Sequence, residues 1–300
     1  MKIVYSFRVL IKLSIALGVF VFQGVSAQDL LKELEQADAG KKEYTFATFK
    51  GTRVVNGHSI ETKGKGELEF IISHRFGRIN SGGYEFWGLD QAFIRIGLEY
   101  GITDRLGVGV GRNSYNKIYD GYLKYRLLKQ SSGAGSIPIS VTAFASTGIQ
   151  AYPKKVDDPT LDFFDRATFT YQFLIARKFS PKFSLQVSPT FVHSNRVDQM
   201  ILNNDQLALG YAGRYKLTKS LAINFEYYQR INPNANSPYY NSVGIGFDIE
   251  TGGHVFQLIF SNTQGMVERT FTTLTEGDFL KGDIHFGFNI SRAFQLKKTE

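Results

Sequence analysis

The sequence predicts a closed antiparallel transmembrane β-barrel of about 12 strands, preceded by a short N-terminal helix. Three observations predict this all-β fold class: a start typical of secreted proteins, a hydrophobic period of two along most of the chain, and tight turns that alternate with long connections. The composition includes 26 Phe, 16 Tyr and 30 Gly but 7 Pro among 300 residues. Abundant aromatic residues with few prolines favour strands over irregular structure.

The first 27 residues have the parts of a secretory signal peptide. Three basic residues flank the start of an apolar run over residues 13–22, and small residues at 24–27 form a cleavage-like site. A single anchoring helix would need about 20 apolar residues, and this run is shorter. We therefore assign residues 1–27 to a signal peptide and expect the mature chain in the outer membrane of a Gram-negative cell.

Cysteine usage and charge exclude several functional classes. The chain has no cysteine, which excludes a disulfide framework, thiolate metal sites and covalently attached haem. Removing the three positive charges of the signal segment from the formal charge of +8 leaves a mild excess of +5. The basic residues are scattered and form no nucleic-acid motif, so we expect no nucleic-acid partner.

The mature chain divides into a short N-terminal region and one long β-rich region. Residues 28–43 place Leu30, Leu31 and Leu34 at helical spacing, which predicts a short amphipathic helix and a linker. Residues 44–300 are the predicted barrel, and no later stretch is long and apolar enough for a spanning helix. Within it, residues 44–60 are strand-like but interrupted by Gly and Asn, and they are either a thirteenth strand or a periplasmic extension.

Twelve strand candidates follow one another with turns between them. They are Lys65–Phe76, Asp90–Gly101, Arg105–Asn113, Ile118–Lys129, Ile137–Ile149, Arg166–Phe179, Lys182–His193, Asp205–Leu217, Ser220–Arg230, Asn241–Ile249, His254–Thr263 and Gly282–Phe294. The tight connections are 101–104, 180–182, 218–219 and 250–253, and the long ones are 150–165, 194–204 and 265–281. Outer-membrane barrels show this asymmetry, with short periplasmic turns and longer extracellular loops.

The two faces of these strands separate into an apolar face and a polar face. We expect lipid to contact Ile94, Ile96, Leu221, Ile223, Phe225, Phe286 and Phe288. We expect the lumen to be lined by Glu67, Glu69, Arg75, Arg95, Glu99, Lys124, Arg126, Arg214, Glu226, Asp248, Asp283 and His285. Charges of both signs either pair across the lumen and block it or line a narrow aqueous path.

Closure of an even-stranded barrel predicts that the first strand pairs antiparallel with the last. On that pairing we expect Arg75 to lie close to Asp283 or His285 and to form a charge-assisted polar cluster. Such a cluster either seals the seam or contacts a solute.

No catalytic or cofactor motif stands in a convincing context. The glycines at 107, 109 and 111 lack the spacing and the following helix of a dinucleotide site, and alternating glycines in a strand favour close backbone approach. Five histidines lie on separate segments, so no metal site is predicted. We expect no catalytic residues, no metal and no cofactor.

Several short segments carry a family resemblance. They are 73–77 (SHRFG), 88–90 (GLD), 98–101 (LEYG), 176–179 (ARKF), 189–193 (PTFVH), 251–258 (TGGHVFQL) and 287–294 (GFNISRAF). These segments resemble the bacterial outer-membrane β-barrel family catalogued as domain of unknown function 5777, and the resemblance covers most of the chain after Phe46. It implies a barrel and no established activity, so no functional residue is carried over from it.

Three functional hypotheses remain. The leading one is a passive or weakly selective channel for small polar solutes, in which the lumen charges set ion preference. The alternative is a platform without transport, whose loops or N-terminal helix bind a protein partner. An outer-membrane lipid enzyme is least favoured, since it would need a serine, a histidine and an orienting polar group at one height on the lipid face.

Overall fold

The computed structural model describes residues 41–152, 162–251 and 253–296. The predicted signal peptide and residues 28–40 of the predicted N-terminal helix region lie outside these ranges. In the described part of the chain, the helices are all too short or too polar to cross a bilayer.

Twelve antiparallel strands form one closed barrel, as predicted. In chain order they are β1 (Glu67–Arg78), β2 (Ala92–Gly101), β3 (Leu106–Asn113), β4 (Ile118–Leu128), β5 (Ser140–Gln150), β6 (Ala167–Lys178), β7 (Phe183–Ser194), β8 (Asp205–Lys216), β9 (Leu221–Arg230), β10 (Ser242–Thr251), β11 (His254–Ser261) and β12 (His285–Gln295). Every strand pairs with its neighbours in sequence, and β12 pairs with β1 to close the wall.

The remaining elements are short. An α-helix, α1 (Glu268–Thr273), lies between β11 and β12. Segments of 3-10 helix occur at Ile79–Ser81, Gly83–Gly88, Tyr115–Lys117, Phe164–Arg166 and Phe279–Lys281. Residues 41–44 and 131–136 belong to a separate small unit, in which Glu43–Tyr44 pairs antiparallel with Ser131–Ser132.

The lengths of the connections between strands distinguish the two ends of the barrel. Tight turns at 102–105, 179–182 and 217–220 join strands at one end, whereas the connections 79–91 and 262–284 lie at the other. Because outer-membrane barrels place their short turns in the periplasm, we call the first the periplasmic end and the second the extracellular end.

Burial alternates along each strand, as the period of two predicts. In β2, Ile94 and Ile96 are exposed on the outside, while Arg95 and Glu99 are fully buried in the interior. Arg95 is neutralised within the wall by a bidentate ion pair with Asp120 of β4. The outer surface is therefore an apolar belt, and the interior is polar and charged.

Glycine permits close packing against β3. A Cβ atom on Gly109 would lie 2.1 Å from the Tyr122 ring, and one on Gly111 would lie within 3 Å of the Arg95 guanidinium. The space beside these glycines is therefore filled by side chains of the adjacent strands, β2 and β4, rather than by the approaching backbone that the sequence predicted.

The seam between β1 and β12 exists, but the cluster predicted there is wrong. Arg75 lies opposite Gly287, in the same register as the pairing down to Glu67 opposite Gln295, and the register shifts only beyond it, where His285 lies opposite Arg78. Arg78 takes the predicted place: it lies opposite His285, and its guanidinium is 3.2 Å from the Asp283 carboxylate. In this extracellular connection, hydrogen bonds from the Asn80 side chain and a backbone amide lower the pKa of Asp283.

The apolar belt gives a first testable prediction. Ile96→Arg places a cation near mid-strand on the lipid side and should destabilise the folded barrel by about 2–4 kcal/mol. Ile102→Arg, in the adjacent periplasmic turn, should cost no more than about 1 kcal/mol. Denaturant unfolding in lipid vesicles measures both, and equal costs would contradict the assignment of the belt.

Candidate functional site

A hairpin from the N-terminal side of the barrel domain lies inside the barrel. Residues 48–60, here called the lumen hairpin, are buried except for Lys50 and Gly51. An isolated antiparallel bridge between Arg53 and His58 joins the two stems of the hairpin. Beyond it, the Val54 amide donates to the Gly57 carbonyl and closes the turn. It is therefore neither of the two structures that the sequence left open, a thirteenth strand or a periplasmic extension.

Both stems of the lumen hairpin join the periplasmic end. The Phe46 carbonyl accepts from Lys178, which precedes a tight turn, and the Lys65 amide donates to Asp104 in another. The chain thus enters the lumen from the periplasmic side, reverses at its tip, and leaves by the same side to begin β1.

The hairpin tip is bound by one wall carboxylate. Glu226 of β9 accepts from three consecutive backbone amides, those of Val55, Asn56 and Gly57, at 2.9–3.3 Å. Only glycine has room at position 57, because a Cβ atom there would lie 2.2 Å from the Tyr228 hydroxyl oxygen and clash with it. A single carboxylate therefore satisfies the donors of a turn that has no ladder partner.

Other wall side chains satisfy the stems. The Lys124 ammonium donates to the carbonyls of Thr52 and Glu61, at 3.1 and 2.9 Å. The Gln186 amide oxygen accepts from Ile60 and its NH₂ group donates to another hairpin carbonyl. Hairpin and wall are thus joined by side chains, and the barrel ladder includes none of the hairpin residues.

Arg75 belongs to this contact rather than to the seam. Its guanidinium donates to the side-chain oxygens of Asn56 and Asn289, at 2.9 and 3.1 Å. Asn289 in turn donates to the Val55 carbonyl at 3.1 Å. A fully buried guanidinium is thereby solvated by amide oxygens from both the hairpin and the wall.

The hairpin also carries a small apolar core into the lumen. Phe49, Val54, Val55 and Ile60 are each at most 4% exposed. They belong to one buried cluster with the wall residues Tyr122, Phe144, Leu174, Ala176, Ala212 and Ile259. The interior is therefore packed like a protein core at this height rather than open to water.

A second segment enters the lumen from the extracellular end. Residues 262–276, here called the inward loop, contain α1 and are largely buried. Glu268 of α1 meets the lumen hairpin: its carboxylate lies 3.3 Å from Arg53 and 3.2 Å from the His58 ring, and it accepts from Ser146 of β5. The two segments that fill the lumen from opposite ends therefore touch at this carboxylate.

His58 contributes ring packing rather than charge to this contact. Burial, and then the positive charges of Arg53, Lys124 and Arg95, lower its pKa well below the ordinary value. Its ring lies edge-on to Tyr122 at 4.5 Å, and its approach to Glu268 lacks hydrogen-bond geometry. The cation that pairs with Glu268 is accordingly Arg53.

The residues predicted to line the lumen fall into two groups. Glu69, Arg75, Arg95, Glu99, Lys124, Arg214, Glu226, Asp248 and His285 are buried, whereas Glu67, Arg126 and Asp283 are partly exposed near the strand ends. Within the set, Lys124 lies 3.7 Å from Glu99 and Arg214 lies 3.6 Å from Asp248. Their part in solute passage stays a prediction.

Important partners were absent from the predicted set. Asp120, Gln186, Asn224, Gln257 and Asn289 all bind charged groups or the hairpin. The same alternation places them on the interior face, but counting charges alone leaves out the four amides, and the carboxylate of Asp120 was overlooked. For the hairpin itself, the sequence carries no periodic signal, because its partners are up to about 230 residues away.

A polar vestibule remains open below the hairpin. It has a volume of about 540 Å³, and ion pairs line it: Lys50 with Glu250 at 2.8 Å and Lys63 with Glu69 at 2.9 Å. Above it, a crevice of about 10 Å³ runs between the hairpin and the wall at Gln257, no larger than one water molecule. Beside the hairpin at this height, the crevice is therefore too narrow for a solute.

The lipid face bears on the enzyme hypothesis. His193 of β7 pairs across strands with Asp205 of β8, with 2.6 Å between their side chains. The cross-strand neighbour of His193 on its other side is Phe169, and Thr147 lies one strand beyond. An orienting pair is present, but neither of the described cross-strand neighbours of His193 carries the hydroxyl that a nucleophile needs.

Comparison with protein families identifies the domain. A family model described as a membrane-bound β-barrel domain (DUF5777) matches residues 49–294. The chain belongs to this family. The matched range begins inside the lumen hairpin and includes the inward loop. Both segments that fill the lumen are therefore part of the DUF5777 domain. With its closed wall and apolar belt, this DUF5777 protein resides in the outer membrane.

Several solved structures are similar to this DUF5777 protein at low identity. The NanC porin has a TM-score of 0.47 and 8% identity, over 77% of this chain and 100% of that one. The KdgM porin has a TM-score of 0.46 and 8% identity, over 76% and 99%. An outer membrane channel from Pseudomonas putida F1 has a TM-score of 0.45 and 13% identity, over 78% and 98%. No curated protein matches the chain.

The Glu226 contact gives a second testable prediction. Glu226→Ala removes the acceptor of three hairpin amides and should favour release of the hairpin by at least ~2 kcal/mol. Trypsin cleavage after Arg53 should then accelerate by roughly 30-fold. Asp120→Ala is the matched control, because it removes a buried carboxylate that pairs within the wall. Equal cleavage of the two variants would show that Glu226 does not hold the hairpin.

Proposed function

We propose that this protein is a gated outer-membrane channel for small polar solutes, with the lumen hairpin as its plug. The observation that carries the proposal is topological: the twelve-stranded ladder closes without the hairpin. Withdrawal of the hairpin toward the periplasm therefore breaks side-chain contacts and leaves every strand pair intact. In this proposal the protein catalyses no reaction.

The chemistry of the lumen supports the same proposal. If residues 48–60 leave, the side chains that held them remain as a lining of both signs, among them Arg75, Lys124 and Glu226. Such a lining retains water and favours polar solutes over apolar ones. The vestibule already present at the periplasmic end would then be continuous with this path.

The closed conformation changes one part of the channel hypothesis. A passive channel is open at rest, whereas here the lumen hairpin and the inward loop meet at Glu268. We therefore propose that passage requires displacement of the hairpin together with the inward loop, whose Glu268 loses its Arg53 partner when the hairpin leaves. The rival proposal, a platform without transport, is supported by the same closure and differs in predicting no conductance under any condition.

A reversible lock distinguishes the two proposals and is the third prediction. A Cβ atom on Gly244 would lie 3.5 Å from the Val55 Cβ, within the range of a disulfide. The chain has no cysteine, so Val55→Cys with Gly244→Cys creates a single pair in a clean background. The triple variant with Val55→Cys, Gly244→Cys and Glu226→Ala should conduct in planar bilayers when the cysteines are reduced. It should stop conducting when they are oxidised to the disulfide.

The controls separate the outcomes. Wild-type protein should show brief openings, Glu226→Ala longer ones, and Val55→Cys alone should not respond to oxidation. Silence of Glu226→Ala, with its hairpin shown by trypsin to be released, would overturn the channel and favour the platform. Conductance that persists in the oxidised double-cysteine protein would show that the hairpin is not the plug.

A further inference from the structure

The hydrogen-bond ladder of the wall is interrupted between β6 and β7. Gln172 pairs with Thr190 and Ile175 pairs with Val187, but the two positions between them on each strand are unpaired. Pro189 lies in this gap, near the middle of a spanning strand, and has no N–H group to donate to β6. Its pairing with Leu209 on the other side, in β8, is retained.

A groove in the lipid-facing surface lies over this interruption. Its volume is about 510 Å³, and its lining is almost entirely apolar. Short side chains, Ala143, Ala145 and Pro189, form the low part of the groove, whereas Tyr171 and Phe191 stand beside it. The volume is in the range of small-molecule sites, whereas a surface of evenly sized residues would leave no such depression.

The groove runs obliquely across the barrel. It extends from Tyr125 on β4 to Ile231, directly after β9 at the extracellular end. Five strand spacings separate β4 from β9, so the groove is about 24 Å long. One end therefore lies at the membrane surface, and the rest lies within the apolar belt.

We propose that this groove binds one hydrocarbon chain of a lipid in the extracellular leaflet. Its position within the belt places it against hydrocarbon, which fixes the chemistry of the occupant. Its length suits an extended acyl chain, and its end at Ile231 leaves the polar headgroup at the aqueous rim. The interruption at Pro189 removes backbone hydrogen bonds from the wall. The groove that lies over it accommodates a single chain more closely than the adjacent belt does.

The occupant differs from ordinary surrounding lipid by its position and lifetime. A chain in the groove contacts side chains on both flanks, such as Phe173 of β6 and Leu207 of β8, both exposed at present. Burial of apolar surface between two walls stabilises the chain relative to one that lies on a convex wall. We therefore expect slow exchange here and fast exchange elsewhere on the belt.

Photocrosslinking tests this proposal and is the fourth prediction. The full chain is reconstituted with a phospholipid that carries a photoreactive diazirine in its acyl chain, and crosslinked residues are identified by mass spectrometry. Crosslinks should concentrate on Tyr171, Phe173 and Phe191. Ala145→Phe should fill the groove and reduce this labelling at least roughly fivefold, which corresponds to about 1 kcal/mol.

Leu258→Phe, outward on β11, which contributes no residue to the groove, is the matched control and should leave the labelling unchanged. Ala143→Leu is a second, milder filling variant for comparison if Ala145→Phe fails to fold. Equal labelling around the whole belt, or equal loss in Leu258→Phe and the filling variants, would overturn the proposal. Labelling confined to residues other than those of the groove would do the same.

Discussion

The structure depends on the requirement that buried polar groups have partners. A twelve-stranded barrel is wider than its own inward side chains can fill, and its period of two places charged residues inside. Glu226, Arg75 and Lys124 are fully enclosed, and each is satisfied by backbone or amide groups of the lumen hairpin. The hairpin equally depends on the wall, since its own amides and carbonyls have no sheet to join. Wall and hairpin complete one another's hydrogen bonding.

This mutual dependence also explains what could be predicted from sequence. Strand positions and faces follow from local alternation, so the residue pattern alone assigns Ile96 and Arg95 to opposite sides of the wall. The hairpin could not be predicted, because the Glu226–Gly57 contact joins residues 169 apart and residues 48–60 have no period. Arg75 combines the two cases: the pairing of its strand with the last strand was predictable, but the register of that pairing and a distant asparagine decide its partners.

Glu268 joins two parts of the molecule that face different compartments. It belongs to the inward loop, which begins and ends at the extracellular end, and it pairs with Arg53 of a hairpin inserted from the periplasmic end. Any ligand that displaces the inward loop therefore weakens the hold on the hairpin. By linkage, withdrawal of the hairpin weakens the inward loop to the same extent. If the hairpin is the plug that we propose, this one carboxylate couples it to both ends of the barrel.

The balance of polar and apolar contacts sets the resting state. When the hairpin leaves, water can replace the lost hydrogen bonds, so each contributes only about 0.5–1.5 kcal/mol to closure. The four buried apolar side chains, Phe49, Val54, Val55 and Ile60, are different, since each loses about 1.5–3 kcal/mol on exposure to water. The conformational entropy that the released hairpin regains offsets much of this stabilisation, so the closed state predominates while brief openings remain accessible. The polar contacts therefore fix where the hairpin sits, and the apolar ones determine how much work a partner must do to remove it.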